Sequence, residues 1–265
     1  MQARSSAILK QLEICYKRYN RRDFLQTDPV QVLYRFSEPK EREIAALVAS
    51  SLSYGRVKSI LSSVESLLAR FHNRPHEFIL NASRSRLWNA CAGFRHRFTG
   101  PGDMFRLVAG TRKLLSEYGT VGGFVEKECG GDVQTYSGVM KSLAEKIGGK
   151  PEGIPHLLPS PAGGSACKRM CLFFRWMIRE DCIDPGGWSS LNPRHLILPL
   201  DVHMMRTCRK LRLTERKNPD WNAAVELTEV FRRFSPEDPV KYDFALTRAS
   251  MFDDPILNHI RDAVN

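Results

Sequence analysis

Residues 157–181 read LLPSPAGGSACKRMCLFFRWMIRED, and this stretch decides the fold. Pro161, Gly163 and Gly164 spell a tight turn, Ser165 stands where a helix cap belongs, and a helix is expected to follow. Met170, Phe173, Phe174, Trp176, Met177 and Ile178 cover most of its circumference, as in a helix buried in a core. At roughly 100° per residue, Lys168, Arg175 and Arg179 share one narrow stripe. Such a stripe suits a site that receives a phosphate or an electron-poor carbon. On periodicity alone, the one wet face of a core helix is the favoured reading.

The second informative stretch is LILPLDVHMMRTCRKLRL, residues 196–213. Leu196–Leu198 is the one candidate for a short strand, flanked by Pro193 and Pro199. Asp201 occupies an N-cap position ahead of a helix marked by Met204, Met205, Cys208 and Leu211. As structure alone it is a good cap, worth about 1 kcal/mol.

Outward from these segments the chain reads as helix nearly everywhere. Helical spacing predicts helices over 5–20, 41–53, 57–71, 103–118, 132–147 and 221–234. Asp103, Asp132 and Asp220 stand where caps for the last three belong. Alternating β-branched runs are scarce and no internal repeat is visible, so the expected fold is all-α. Connections rich in Pro and Gly lie near 72–77, 99–103, 148–164 and 184–194.

Composition narrows the function. Hydrophobic residues make up 42% of the 265 and charged residues 26%, which is ordinary for a soluble chain. No apolar run is long enough to span a membrane, and the N-terminus lacks the pattern of a secretory signal. Seven irregularly spaced cysteines do not form a disulfide framework and fit a reducing cytoplasm. The net charge of +11 suits a polyanionic partner, and nucleic acid is the commonest in that compartment.

Taken together, the two segments resemble the helix-hairpin-helix DNA glycosylase/AP lyase superfamily (HhH-GPD). GGSACK, 163–168, is similar to the end of that superfamily's hairpin, and PLDVHMMR, 199–206, to the motif carrying its assisting aspartate. ASSLSYGRVKSI, 49–60, resembles the early helix-loop-helix that faces an extruded base. The likeness is greatest to a bacterial branch with Gly-Ser-Ala-Cys-Lys-Arg, and it spans about residues 28–250. Gly163 and Ala166 depart from the usual hairpin. Lys168 and Asp201 stand 33 residues apart, a long separation made by the insert 181–194 and similar to that of archaeal 8-oxoguanine glycosylases.

The resemblance implies Lys168 as nucleophile and Asp201 as assisting carboxylate, in one cleft within roughly 4–8 Å of each other. A carboxylate stabilises the positive charge that builds on the sugar as the base leaves, and a neutral amine can then hold the sugar as an imine. The helix N-terminus, Arg169 and Arg175 are expected to favour the neutral amine. The implied DNA contacts are Gly163, Gly164 and Ser165 through backbone amides, with Arg169, Arg175, Tyr54 and Arg56. Tyr54 would fill the stack vacated by the base.

The implied substrate is double-stranded DNA bearing a damaged base, in particular an oxidised purine such as 8-oxoguanine, or an abasic site. No metal site or iron–sulfur cluster is expected, because no close group of cysteines follows Asp201. An alkali cation at the hairpin is the one cofactor the resemblance allows. The implied protein is a monomer in the bacterial cytoplasm, associated with the nucleoid. Its first lobe would run from 37 to 180, and residues 1–36 with 181–265 would form the second. A catalytically silent helix-hairpin-helix module binding DNA or RNA is the alternative.

His203, Phe173, Phe174 and Trp176 read as structural. Residues 238–244 read either as the lining of a base pocket or as an ordinary helix start.

Overall fold

The computed structural model describes residues 2–130, 136–149 and 153–264, and the regular structure among them is helical, without strands. The first part of the chain forms α1 (Gln2–Tyr19), 3-10 turns at Arg22–Thr27 and Pro29–Arg35, α2 (Pro39–Ser51), α3 (Val57–Arg70), α4 (Pro75–Asn81) and α5 (Arg84–Cys91). Then come α6 (Pro101–Tyr118), α7 (Val121–Cys129), α8 (Ser137–Gly148) and, after a 3-10 turn at Pro161–Gly163, α9 (Lys168–Ile178). The remainder forms α10 (Val202–Lys210), α11 (Trp221–Arg232), α12 (Asp243–Met251) and α13 (Ile256–Val264). No helix among the described residues is long and apolar enough to cross a membrane.

The centre of the core is α2 packed against α9. Every α2 residue from Glu43 to Ser51 is buried, as is every α9 residue from Met170 to Ile178. Helices α3, α4 and α7 pack on α2, α6 packs on α4, α5, α7 and α8, and α12 packs on α1 and α10. The 3-10 turn Pro29–Arg35 packs on α2 and α3 through buried Val30, Val32 and Leu33, although it precedes the expected lobe boundary. Gly110 lets α6 approach α8, because a Cβ there would fall 1.8 Å from the Ile147 carbonyl oxygen.

Two buried glutamates of α2 tie neighbouring helices to it. Glu41 accepts the His76 amide at the start of α4 (2.7 Å). Glu43 accepts the Val121 and Gly122 amides of α7 (2.7 and 3.0 Å) and the Trp188 indole N–H (3.0 Å). A carboxylate at a helix start satisfies amides that have no partner within the helix. Burial nevertheless pushes the Glu43 carboxyl up from its ordinary value.

The insert 181–194 covers the end of α9. Trp188 sits edge-on to Phe173 and Phe174, with ring centres 5.1 and 5.7 Å away, and its amide donates to the Met177 carbonyl. Phe173, Phe174 and Trp176 are core residues, as their spacing suggests.

Several local expectations are corrected. Asp103 is not a cap: α6 begins at Pro101, Gly100 is the N-cap, and Asp103 accepts the Gly100 amide from the third helical position. Proline suits that first position because its missing N–H would be unpaired there anyway. Leu196–Leu198 is no strand; Leu198 donates its amide to the Thr228 hydroxyl instead of a neighbouring strand. Ser165 is not the cap of α9, whose N-cap is Cys167 in the left-handed region with φ 52°. Asp220 does cap α11, accepting the Ala223 amide at 2.7 Å. Asp132 lies outside the described residues.

Candidate active site

Lys168 is the first residue of α9, and Asp201 is the N-cap of α10. One oxygen of Asp201 accepts the amides of His203 and Met204, both at 2.9 Å. The other accepts the Lys168 ammonium at 2.5 Å. One carboxylate thus caps a helix and holds the lysine, in direct contact where a wider gap was expected. The pair borders solvent, with side-chain exposures of 36% for Lys168 and 27% for Asp201. Burial pushes the Asp201 carboxyl up, but the Lys168 charge and hydrogen bond, with the Met204 amide, outweigh it and hold the group below its ordinary value.

The turn before α9 departs from expectation. The Gly163 and Gly164 amides donate to the carbonyls of Ser160 and Pro161 (3.0 and 3.1 Å), so these N–H groups are used within the turn and do not point outward. The Gly164 carbonyl accepts the Trp221 amide at 3.1 Å, anchoring the turn to α11. The Ser165 hydroxyl accepts the Cys167 amide at 3.3 Å. Gly163, Gly164 and Ser165 are nonetheless exposed, and a Cβ on either glycine would meet nothing. No side chain caps α9, so its first-turn amides are the donors that the helix geometry leaves over.

Arg175 is not a DNA contact. It is buried, donates to Asp184 from Nε and Nη2 (3.2 and 3.1 Å), and donates to Asp243 from Nη1. Arg179 is likewise buried and meets Asp181 (2.8 Å), Asp184 and Asp238 (2.9 Å). Burial opposes both guanidinium charges, but the carboxylates overwhelm it and keep them cationic. The shared stripe therefore divides, with one half-buried cation bordering solvent at its start and two buried, neutralised ones beyond. Residues 238–244 belong to this network as the start of α12, where the Tyr242 hydroxyl also donates to Glu13 (2.6 Å).

Tyr54 lies in the turn between α2 and α3. Its hydroxyl donates to the His96 carbonyl (3.0 Å) and pairs with the Thr99 hydroxyl (2.6 Å). His96 Nε2 donates to the Tyr54 carbonyl (3.0 Å), and its Nδ1 accepts from Ser63 (2.9 Å). Burial holds this imidazole below its ordinary value, which suits a neutral ring with one donor and one acceptor. The Arg169 guanidinium lies over the Tyr54 ring at 5.2 Å, and Phe98 stacks on it at 4.9 Å with planes 22° apart. Tyr54 is thus packed on its ring and bonded at its tip. The side chain offered to solvent is Phe98, 65% exposed, which the sequence did not single out. Arg56 is exposed at the start of α3.

A family model described as a protein of unknown function, DUF2400, matches residues 28–252. The chain belongs to the DUF2400 family. No curated protein and no solved structure matches it. The DUF2400 span contains Lys168, Asp201, the buried arginine network and the Tyr54–Phe98 stack, and leaves α1 and α13 outside.

Proposed function

We propose that this DUF2400 protein is a bifunctional DNA glycosylase/AP lyase acting on a damaged base, an oxidised purine such as 8-oxoguanine, in double-stranded DNA. The observation that carries the proposal is the solvent-bordering contact of Lys168 with Asp201, made by the first residue of one helix and the cap of another. As the glycosidic bond breaks, the Asp201 carboxylate faces the positive charge growing on the sugar. The departing base takes a proton from the Lys168 ammonium, and the freed amine forms a bond to C1′. The second amine proton passes to O4′ as the C1′–O4′ bond breaks and leaves a protonated imine, and loss of a C2′ proton then expels the 3′ phosphate by β-elimination. The uncapped first turn of α9 supplies amides for a DNA phosphate, in place of the glycine amides. Arg169 and exposed Phe98 extend the site toward the duplex.

A catalytically silent nucleic-acid binder is the second reading. It is favoured by the same contact, because a lysine bound by a helix cap is also a plain structural tie between α9 and α10. The two separate on borohydride trapping across duplexes bearing different lesions or an abasic site. The enzyme is trapped covalently on at least one of them, and Lys168→Gln is not. Undiminished trapping in Lys168→Gln assigns the nucleophile elsewhere, and no trapping on any duplex leaves the binder.

A further inference from the structure

Between Glu77 and Asp103 the chain has no acidic residue, yet it carries Arg84, Arg86, Arg95 and Arg97. All four arginines are exposed, and none is paired with a carboxylate among the described residues. The same stretch presents Phe98 and Trp88, which is 47% exposed. The third well-exposed aromatic, Phe252, stands beside exposed Asp253, so it faces a different electrostatic setting. Exposed aromatic rings and unpaired cations thus coincide within one short stretch of chain.

Around Trp88 that surface is shaped. A groove of about 760 Å³ is lined by Ser83, Arg84, Ser85, Trp88 and Phe105. Trp88 and Phe105 meet edge to face with ring centres 5.3 Å apart, and the Arg84 guanidinium lies 5.3 Å over Phe105. Arg84 and Trp88 stand four residues apart on α5 and so share a face, whereas Arg86 lies over Phe78 at 5.4 Å and does not line the groove. The tryptophan is braced on one side while almost half its surface meets water. That exposure costs free energy unless a planar partner covers it.

We propose that this α5 groove binds single-stranded nucleic acid, with an unpaired base stacked on Trp88 and a phosphate on Arg84. An aromatic ring gains from an unpaired base because its π-face is open, whereas a duplex hides those faces within its stack. The absence of carboxylates across this stretch removes the repulsion that would otherwise turn a polyanion away. The groove lies outside the Lys168–Asp201 pair and does not depend on the lyase reading.

The test uses tryptophan fluorescence of the full chain with a short oligo(dT). The other tryptophans, Trp176, Trp188 and Trp221, are buried or half-buried, so iodide quenching reports mainly on Trp88. Binding should quench the emission and shield Trp88 from iodide. Trp88→Ala should weaken binding about ten-fold, and Trp88→Phe should restore most of it. Arg84→Ala should lower the log–log salt slope by about 0.7, for one phosphate. Unaltered oligo(dT) affinity in Trp88→Ala overturns the proposal, as does equal shielding by a blunt duplex or a polyglutamate peptide. Lys168→Gln should bind oligo(dT) as wild type does, so failure of the lyase reading and failure of this one are separate results.

Discussion

The two ends of the cationic stripe on α9 face opposite fates. Lys168, at the open end, meets one carboxylate at the border of solvent, and that carboxylate already serves as a cap. Two turns along, Arg175 meets Asp184 and Asp243 with all three buried. The same charge on the same face thus stays available in one place and is locked in the other. Availability follows from depth and from the number of carboxylates, since a buried cation must be neutralised where it stands. A residue that reacts needs a partner that can be displaced, and one that holds helices together needs partners that cannot.

The largest effect should come from breaking the buried end. Arg175→Met leaves Asp184 and Asp243 short of a counter-charge and should cost about 3–5 kcal/mol in urea unfolding. A loss below about 1 kcal/mol would mean that the network contributes little to holding α9 on α12. Asp201→Asn acts on the open end and separates its two roles. Asparagine caps about as well as aspartate, so stability should change by no more than about 1 kcal/mol. Single-turnover excision of a lesion base should nevertheless fall about 10²–10³-fold, because the charge facing the sugar is gone. A variant as fast as wild type would reduce Asp201 to a cap.

The same substitution sharpens the contrast through pH. The folded-state value of Asp201 lies below its unfolded one, so its ionic contribution is present above about pH 4 and is lost as pH falls through the depressed value. Asp201→Asn should therefore flatten the acid limb of the stability curve below about pH 4, and an unchanged limb would place that loss on other carboxylates. The smallest effect belongs to Lys168→Gln, which should shift the melting free energy by about 1 kcal/mol or less, since the pair is partly exposed. A loss as large as that of Arg175→Met would erase the distinction between the two ends.

Much of this architecture is legible in local sequence. The α9 helix announces itself through the turn residues before Lys168 and the apolar run after it, and Asp201 through the proline and apolar helix around it. Those signals are short-range, so one chain suffices to place both groups at helix starts. The cap of α6 lies three residues before Asp103 because a proline after a glycine also opens a helix. The helices α4 and α5 were missed because each is too short for its period to stand out from the flanking polar residues.

By itself the sequence determined the all-helical character, the basic charge and the positions of Lys168 and Asp201 on their own helices. All of these follow from periodicity, capping and composition within a few residues. Only the tertiary structure decided that Arg175 is sealed while Lys168 is open, because Asp184 and Asp243 reach it from a loop and from another helix. It also decided that Tyr54 is packed and Phe98 is presented, through contacts spanning more than forty residues. Exposure is a property of what covers a side chain, and the covering groups come from elsewhere in the chain.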